Sequence, residues 1–575
     1  MFKPLALLSP LALLLTGCAD YANPIAASAA GVTEPATSAT QGAVSSADPR
    51  ATAAGEAILA QGGSATDAAI AVMLALTVVE PQSSGIGGGG FMIHAGADGV
   101  TTIDGRETAP ATATGARFLD QNGERLPGSI RTTSGLSVGV PGNIALAADA
   151  HAKYGKLPWA DLFKPAIALA RDGFVMNRRL HGTLSDRLER AGKTEAARAI
   201  FFGADGNPLP VGTRITVPDL ADTFERLAAD GPGAFYDSSA QEFADYVAGE
   251  TPQDGRLAPS DVSAYTAKLR DPVCSPYRSY TVCGMGPPSS GGVAVAQMLG
   301  QLERFDIAAL GPQSPEFWHL FVESQRIAYA DRELYIGDAD FVEVPVAGLI
   351  DRDYIASRSA MIDPASALDS VEPGTPPGAP LARADGDEPA ENGTTHFSVV
   401  DADGSAVSYT STIEGAFGSG LHWGGFYLNN ELTDFSLSPE IDGMPVANRV
   451  EGGKRPRSSM APTIVFDENG EVILVIGAAG GPTIPVQVAR SIIGVLDFGM
   501  SAEEALGLPL IMAFGPTVIT EEGSAIASMV DDLRARGHSQ IRLLSPRGKA
   551  NALLRTEDGW ESAGDPRVAD LLGYE

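Results

Sequence analysis

The sequence is short of cysteine, histidine and basic residues, and each shortage argues against a class of protein. Its 575 residues include 3 Cys and 7 His, without the CxxC spacing or neighbouring histidines of a cysteine-rich metal site. The 40 Lys and Arg residues are outnumbered by 71 Asp and Glu, which gives a net charge of −31. Because nucleic-acid binding requires a basic face, this balance argues against nucleic acid as a partner.

Apolar residues and turn-forming residues are plentiful by comparison. Apolar residues make up 44% of the chain and charged residues 19%, so a sizeable core can form. The length fits several domains of ordinary size or one large layered enzyme. The 66 Gly and 40 Pro indicate many turns, as in a loop-rich mixed α/β fold.

The N-terminus has the pattern of an export signal. A basic start at Lys3 precedes the apolar stretch from Leu5 to Leu15, which Pro10 interrupts and which is too short to span a membrane. The stretch ends in Leu-Thr-Gly-Cys at Cys18, which resembles the bacterial lipobox, where the cysteine is lipidated and becomes the mature N-terminus.

We therefore predict a signal peptide at residues 1–17, followed by a lipidated N-terminus and flexible tether, rich in Ala, Ser, Thr and Pro, at 18–48. An ordinary signal peptide with cleavage nearby is the alternative. The lipoprotein interpretation places the body of the protein in the periplasm, tethered to a bacterial membrane only through its lipid.

The other two cysteines, Cys274 and Cys283, leave two alternatives open. An exported chain enters an oxidising compartment, where both thiols can pair across a predicted hairpin over residues 273–285. They can equally stay as two buried free thiols in adjacent strands. Neither is predicted to bind a metal.

Apolar periodicity predicts alternating helical and strand-rich regions. Two helices are expected between Ala53 and Pro81, with N-caps near Ser64, and a long helix from Pro315 to Tyr335. Strands are expected at Thr395–Val400 and Ala406–Ile413. Residues 365–392 are rich in Pro, Gly and acids without an apolar period, which indicates an exposed segment.

The glycine-rich run from Ser83 to Met92 superficially suggests a phosphate-binding loop. A dinucleotide fingerprint follows a strand and opens a helix, whereas this run follows a predicted helix and leads into strands. Nucleotide binding is therefore rejected, and close backbone packing is the expected use of these glycines.

The run from Glu391 to Val400, ENGTTHFSVV, has the pattern of a self-cleaving precursor. Cutting the Gly393–Thr394 bond would give Thr394 a free α-amine beside its own hydroxyl. That amine is the general base that a hydroxyl needs to attack an amide. Two threonines on a strand are otherwise ordinary β-branched residues, so the run alone is a weak signal.

Further motifs on both sides of this run give the chain its resemblance to a known family. From Ala53 to Leu572 it resembles the γ-glutamyltransferase (glutathione hydrolase) family of N-terminal nucleophile hydrolases. The segments that carry the resemblance are IDGRETAP at 103–110, PPSSGG at 287–292, TTHFSVVDADG at 394–404, FGSG at 417–420, NNELTDFS at 429–436, KRPRSSMAPT at 454–463, Gly480-Gly481 and Asp565-Pro566-Arg567.

The resemblance implies catalytic roles for four residues. Thr394 is expected to be both the residue at which the chain cuts itself and the nucleophile of turnover. Thr412 is expected to support that nucleophile through its hydroxyl. Gly480 and Gly481 are expected to supply the backbone N–H donors of an oxyanion hole, where glycine permits close approach.

It also implies how a donor substrate is held. Arg106, Ser458 and Ser459 are expected to bind the α-carboxylate of the donor, for which the arginine fork is suited. Glu431 and Asp434 are expected to accept hydrogen bonds from its α-ammonium.

Glu414 departs from the family pattern. The best-known members carry an asparagine there that contacts the substrate amine, so Glu414 adds a negative charge beside Glu431 and Asp434. The region between Asp434 and Arg455, which matches the family's lid, is also shortened. Both differences favour a shift in donor preference.

The resemblance implies a four-layer αββα sandwich of α/β (α+β) class, formed by two chains after self-cleavage. Residues 49–393 would form the large subunit and 394–575 the small catalytic subunit. The implied reaction is hydrolysis or transfer of the γ-glutamyl group of glutathione to water, an amino acid or a peptide, with no metal or organic cofactor.

Two alternatives stay open. One is a glutaryl or cephalosporin acylase of the same superfamily, which Glu414 favours. The other is a non-catalytic binding lipoprotein on a decayed enzyme scaffold.

Overall fold

The computed structural model describes residues 42–380, 383–384, 393–545 and 548–573. Its helices are α1 (Pro49–Ala60), α2 (Ala65–Val79), α3 (Gly128–Thr133), α4 (Asn143–Tyr154), α5 (Lys164–Asp172), α6 (Arg178–Asp186), α7 (Leu188–Ala191), α8 (Glu195–Phe201), α9 (Pro218–Asp230), α10 (Ala240–Gly249), α11 (Pro259–Ser263), α12 (Gly291–Leu302), α13 (Ile307–Leu310), α14 (Pro315–Tyr335), α15 (Val346–Leu349), α16 (Arg352–Ser359), α17 (Ile484–Leu496), α18 (Ala502–Gly507), α19 (Val530–Ala535) and α20 (Pro566–Ala569).

The strands are β1 (Ala43–Ser46), β2 (Gly89–Gly96), β3 (Gly99–Gly105), β4 (Phe174–Val175), β5 (Arg214–Ile215), β6 (Lys268–Arg270), β7 (Val273–Tyr277), β8 (Tyr280–Gly284), β9 (Thr395–Val400), β10 (Ala406–Thr412), β11 (His422–Trp423), β12 (Phe426–Tyr427), β13 (Glu440–Ile441), β14 (Met444–Pro445), β15 (Thr463–Phe466), β16 (Val472–Ala479), β17 (Ile511–Phe514), β18 (Thr517–Glu521), β19 (Gln540–Leu544), β20 (Lys549–Thr556) and β21 (Gly559–Gly564).

Two six-stranded antiparallel sheets form the centre of the described part of the chain. The first has the order β1-β9-β10-β2-β3-β6 and the second the order β21-β20-β16-β15-β8-β7. The sheets stack with β9 and β10 facing β16 and β20. Both contain strands from before and after Gly393, so cutting the chain there would leave each sheet built from two pieces.

Helices cover the outer face of each sheet. On the first sheet, α2 packs against β9 and β10, and α4 packs against β2 and β3. On the second, α12 packs against β7 and β8, and α17 packs against β16. The four layers therefore run helix, sheet, sheet, helix, which confirms the predicted αββα class.

The helices and strands that local sequence signals predicted are present in the structure. The predicted helix Pro315–Tyr335 matches α14, and the predicted strand Thr395–Val400 matches β9. Helix α2 begins after Ser64, which forms a capping box with Asp67, and all of its residues are buried.

The glycine-rich run packs closely, as predicted. A Cβ at Gly87 would lie 2.1 Å from the Tyr427 carbonyl oxygen, and one at Gly88 would lie 2.0 Å from that of Thr412. Only glycine fits at either position without displacing backbone.

The predicted tether extends too far. Residues 43–46 form strand β1, which pairs with β9 from Ala43 opposite Val400 to Ser46 opposite Phe397. The Ser45 hydroxyl also donates to the Ala563 carbonyl at 3.0 Å. The small residues that indicated a tether here complete the edge of a sheet whose partner strand is about 350 residues away along the chain.

Cys274 and Cys283 lie opposite each other on β7 and β8, and their sulfurs form a disulfide with an S–S distance of 2.07 Å. The predicted export signal and Cys18 lie outside the described residues. Residues 381–382 and 385–392 of the predicted exposed segment 365–392 lie outside them as well. Among the residues that the structure describes, no helix has both the length and the apolar composition needed to cross a membrane.

Candidate active site

Thr394 lies immediately before β9, the second strand of the first sheet, which pairs with β10. Its side chain is buried, with 6% of its surface exposed. Its backbone N–H donates to the Ser83 carbonyl at 3.1 Å. Its φ of 109° is left-handed, which is unusual for a β-branched residue and costs about 1–3 kcal/mol of backbone strain. The residue predicted to be cut is therefore held in a strained conformation while the bond before it is intact.

Thr412 lies beside Thr394 because β9 and β10 form an antiparallel pair. Thr395 pairs with Ser411, which brings the preceding and following residues together at the same end of the sheet. The Thr394 hydroxyl donates to the Thr412 hydroxyl at 3.2 Å, and the Thr412 hydroxyl also accepts from the Glu414 N–H at 2.8 Å. Two threonines that are 18 residues apart in the sequence are thus in direct contact.

Replacing Thr412 with valine is expected to lower kcat about 10–100-fold, because the Thr394 hydroxyl loses the partner that orients it. Thr412→Ser, which keeps the hydroxyl, should retain most of the activity. Steady-state kinetics of both purified variants would check this, and equal kcat for Thr412→Val and wild type would contradict it.

Arg106 joins the two acidic residues predicted to bind the donor's ammonium. It follows β3 and is 1% exposed. Its Nη1 donates to Glu431 and its Nη2 to Asp434, both on a short 3₁₀ turn at Glu431–Asp434. The two carboxylates and the guanidinium thus satisfy one another. A zwitterionic α-amino acid group carries the matching ammonium and carboxylate, so it can insert between them.

Two backbone carbonyls fix Arg106 from the other side. Its Nε donates to the Pro456 carbonyl at 3.2 Å and its Nη2 to the Arg457 carbonyl at 2.7 Å. Ser458 and Ser459 follow directly on this loop, and both are buried. The guanidinium of Arg106 is thereby held against the loop that contains Ser458 and Ser459, the other residues predicted to bind the carboxylate.

The hydroxyls of that loop are engaged in the structure. The Ser459 hydroxyl accepts from Arg332 Nη2 at 2.7 Å, and the Ser458 hydroxyl accepts from the Met460 N–H at 3.2 Å. Arg332, from α14, adds a cation behind the serines. Sequence motifs did not single it out.

Glu107 lies between the charged groups of this pocket. Its Oε2 is 4.0 Å from Arg106 Nη1. Burial raises the pKa of Glu107 to about 8, although Arg106 opposes the shift. A neutral Glu107 does not compete for Arg106, so the guanidinium pairs with Glu431 and Asp434.

Gly480 and Gly481 form the turn after β16. Their φ angles of 125° and 57° lie in the left-handed region, which explains glycine at both positions. Ala479, directly before the turn, pairs with Lys549 on β20. Lys549 in turn reaches the Thr394 carbonyl with its Nζ at 3.0 Å. The glycine turn and the predicted nucleophile are thus linked through one lysine.

Glu414 lies between the Thr394–Thr412 pair and the charged pocket. It has a left-handed φ of 72° and is 7% exposed. Its carboxylate accepts from the Asn430 amide, whose oxygen accepts from the Gly415 N–H at 2.9 Å. Burial lowers the pKa of nearby Arg190, while attraction to Glu414 opposes that shift. A cation from the first part of the chain therefore faces the carboxylate that departs from the family pattern.

His396, the third residue of the Thr-Thr-His run, has a structural position. Its ring bonds to the Thr410 hydroxyl at 2.9 Å and the Ser398 hydroxyl at 3.1 Å. A Cβ on Gly477 of the facing sheet would lie 2.3 Å from the ring. The ring therefore fills the space between the two sheets.

Burial lowers the pKa of His396 to about 3, whereas an unfolded histidine titrates near about 6.5. Between these values the unfolded chain binds a proton that the folded chain does not, so the free energy of unfolding falls as pH decreases below about 6.5. At about pH 4.5 this one group should cost roughly 3 kcal/mol.

The free energy of unfolding, measured with denaturant at neutral and acid pH, should decrease less on acidification for His396→Asn than for wild type. His181→Asn, at a partly exposed position, is the control that should keep the wild-type loss. An equal decrease in the free energy of unfolding in all three proteins would show that His396 does not cause the loss of stability at acid pH.

Sequence reasoning missed a buried charged group beneath Thr394. It consists of Lys549, Glu80 and Arg179; Lys549 also donates to the Ser83 hydroxyl, and Glu80 accepts from the Thr395 hydroxyl. The one available signal was Glu80 itself, a carboxylate at the end of the otherwise apolar α2, since buried acids are rare unless they are paired. In the part of the chain that the structure describes, no three His, Cys, Asp or Glu side chains are grouped to hold a metal ion.

Known proteins are similar to this chain in sequence and in fold. Residues 51–571 match the model of the gamma-glutamyltranspeptidase family. The chain is 38% identical over 557 residues to the glutathione hydrolase proenzyme of Escherichia coli strain K12, covering 93% of this chain and 92% of that protein. It is 36% identical over 549 residues to the acylase ACY 1 proenzyme of Pseudomonas sp. strain V22, covering 93% and 94%. The crystal structure of a cephalosporin acylase from Bacillus halodurans matches with a TM-score of 0.81 and 25% identity, over 95% of this chain and 97% of that one.

Proposed function

Because the chain belongs to the gamma-glutamyltranspeptidase family, we propose that Thr394 carries out its reaction, the hydrolysis or transfer of γ-glutamyl groups from glutathione and related compounds. The observation that supports this best is the position of Thr394. Its hydroxyl contacts Thr412 and its backbone contacts Ser83 and Lys549. The Arg106–Glu431–Asp434 pocket is connected to it through Thr412 and Glu414.

The first step is self-cleavage. The Thr394 hydroxyl oxygen attacks the Gly393 carbonyl carbon, the C–N bond breaks, and the hydroxyl proton passes to the departing nitrogen. Water then hydrolyses the resulting ester, which leaves a carboxylate on Gly393 and a free α-amine on Thr394. Since φ at Thr394 is measured from the Gly393 carbonyl carbon, which leaves the Thr394 nitrogen, cleavage also removes the strained torsion.

Turnover uses the same hydroxyl with the new amine as its base. The α-amine takes the hydroxyl proton while the oxygen attacks the γ-carbonyl of the donor. The backbone N–H groups of Gly480 and Gly481 stabilise the oxyanion, and the proton moves to the departing amine. The γ-glutamyl ester on Thr394 is then taken by water or by the amine of an acceptor.

The donor's α-amino acid group would occupy the charged pocket. Its carboxylate would take the place that Glu431 and Asp434 hold on Arg106, with the loop of Ser458 and Ser459 beside it. Its ammonium would be bound by the two released carboxylates. One zwitterion thus replaces an internal salt bridge without leaving a buried charge unpaired.

In the mature protein, residues 49–393 together with the preceding strand β1 would form the large subunit, and residues 394–575 would stay with it as the small subunit. The shared sheets support this, because neither piece contains a complete sheet. We place the mature enzyme in the periplasm, anchored through Cys18.

Intact masses and the N-terminal sequence of the smaller piece would test the proposal together with release of the aniline from a γ-glutamyl anilide. A piece beginning Thr394-Thr395-His396 and a γ-glutamyl-dependent rate are expected. A chain that stays uncut and inactive after long incubation at neutral pH would favour the binding-lipoprotein alternative.

A glutaryl or cephalosporin acylase is the second candidate. Glu414 beside Arg190 supports it, since this pair changes the charge at the position where the family's asparagine contacts the donor amine. Comparing kcat/KM for γ-glutamyl and glutaryl anilides separates the two. A higher value for the glutaryl compound would favour the acylase.

A further inference from the structure

A lysine and a glutamate lie beneath Thr394 in a position that no part of the reaction above uses. Lys549 begins β20, and its Nζ lies 3.0 Å from the Thr394 carbonyl oxygen, 2.8 Å from Glu80 Oε2 and 3.3 Å from the Ser83 hydroxyl. Glu80 lies at the end of α2, where its other oxygen is bonded by Arg179. The Lys549 side chain is 9% exposed and that of Glu80 is 2% exposed.

These contacts hold Thr394 at both of its backbone polar groups. Its N–H donates to the Ser83 carbonyl at 3.1 Å, and its carbonyl accepts from Lys549. The next residue is held as well, because the Thr395 hydroxyl donates to Glu80 at 3.0 Å. With both backbone groups of the residue fixed, the direction of the Thr394 Cα–Cβ bond is determined, and the contact with Thr412 then orients the hydroxyl.

Burying a lysine at this position costs free energy, so its presence calls for a functional reason. A buried ammonium needs several hydrogen bonds and a counter-ion to offset its lost hydration, and an apolar pair of similar volume is often at least as stable. Of the three hydrogen bonds that Lys549 Nζ donates, one is to the Glu80 counter-ion, and the other two are to the Thr394 carbonyl and the Ser83 hydroxyl beside the nucleophile. A role in stability alone gives no reason for one of them to be the carbonyl of Thr394.

We propose that Lys549, held by Glu80, is a positioning residue that fixes the Thr394 backbone and so aims its hydroxyl, both for self-cleavage and for turnover. This inference rests on Thr394 being the nucleophile. It adds that the nucleophile is oriented from below by a cation, in addition to Thr412 from the side.

The same cation has an electrostatic consequence after cleavage. The new α-amine of Thr394 replaces the amide N–H beside Ser83, on the residue whose carbonyl contacts Lys549. At pH values below its pKa, the positive charge of Lys549 disfavours protonation of that amine and keeps it available as a base. The charged groups facing Lys549 are Glu80, Arg179 and Asp48; burial and Arg179 lower the pKa of Lys549 to about 7, while Glu80 and Asp48 oppose this.

The test uses the full-length precursor and three variants. Lys549→Met removes the ammonium, and Lys549→Arg keeps a cation with a different shape. Lys156→Met is the matched control, since Lys156 also pairs with a carboxylate, Asp403, but in the turn at the far end of β9. Self-cleavage is followed on gels at neutral pH, and kcat and KM for a γ-glutamyl anilide are measured on cleaved protein.

Lys549→Met should lower the first-order rate constant of cleavage and kcat, each about 30–100-fold, because a small misplacement of the hydroxyl has effects of this size. KM should change less than about 3-fold, since Lys549 does not contact the donor pocket. The acid limb of the kcat/KM profile should move to higher pH as the α-amine becomes easier to protonate. Lys549→Arg should lie between Lys549→Met and wild type.

A purely structural lysine would give a different result. The amount of protein that cleaves would fall, but the first-order rate constant of the folded fraction would stay within about 2-fold of wild type, and that result would overturn the proposal. If Lys549→Met yields no folded protein, Lys549→Arg decides in the same way. An inactive wild type would instead count against the function proposed for Thr394.

Discussion

Thr394→Ala is expected to remain a single uncut chain with less than about one ten-thousandth of the wild-type activity. The variant lacks the oxygen that attacks the Gly393 carbonyl, so no free α-amine forms. It also lacks the oxygen that would carry the γ-glutamyl group. The fold should survive, since the side chain of Thr394 makes a single hydrogen bond to the described residues, with Thr412. Intact mass and a γ-glutamyl anilide assay measure both effects.

Thr394→Ser separates loss of the hydroxyl from a disturbance of the strand. Serine keeps the oxygen and the future amine but lacks the methyl group that makes the left-handed φ costly. It should therefore still cleave and turn over, at a reduced rate. A processed and active Thr394→Ala protein would falsify the mechanism.

Asp434→Ala is expected to lower kcat/KM for γ-glutamyl donors about 100-fold, or roughly 3 kcal/mol, mainly through KM. Asp434 and Glu431 share Arg106 in the structure, and both would receive the donor's ammonium once its carboxylate occupies Arg106. With Asp434 gone, the ammonium would lose one of two buried acceptors. A glutaryl donor has no ammonium, so its kcat/KM should change less than about 5-fold.

The comparison of the two donors within one variant is the internal control for misfolding. Asp558→Ala, on the exposed turn between β20 and β21, is the control for loss of a carboxylate from the same part of the chain. It should leave both donors unaffected. Equal losses on γ-glutamyl and glutaryl donors in Asp434→Ala would remove Asp434 from the ammonium role.

The sequence by itself determined the fold class, the family and the residues worth testing. Its motifs are contiguous, so TTHFSVVDADG and NNELTDFS could be recognised without knowing what lies beside them. Secondary structure followed for the same reason: the cap at Ser64 and the apolar period of α14 act within a few residues. Thr394 and Asp434 lie within these motifs, and the role expected of Thr412 followed from the family resemblance that the motifs carry.

Tertiary structure alone decided which groups meet. The residues of β1 were predicted to be tether because what stabilises this strand is its pairing with β9, which is far away along the chain. His396 sits in the catalytic motif, yet it packs between the sheets against Gly477. Lys549 carries no local signal, and its importance comes from Glu80 and Thr394, which join it from distant parts of the sequence. Local patterns record the propensities of neighbouring residues, whereas burial and charge pairing depend on residues that only the folded sheets bring within hydrogen-bond distance.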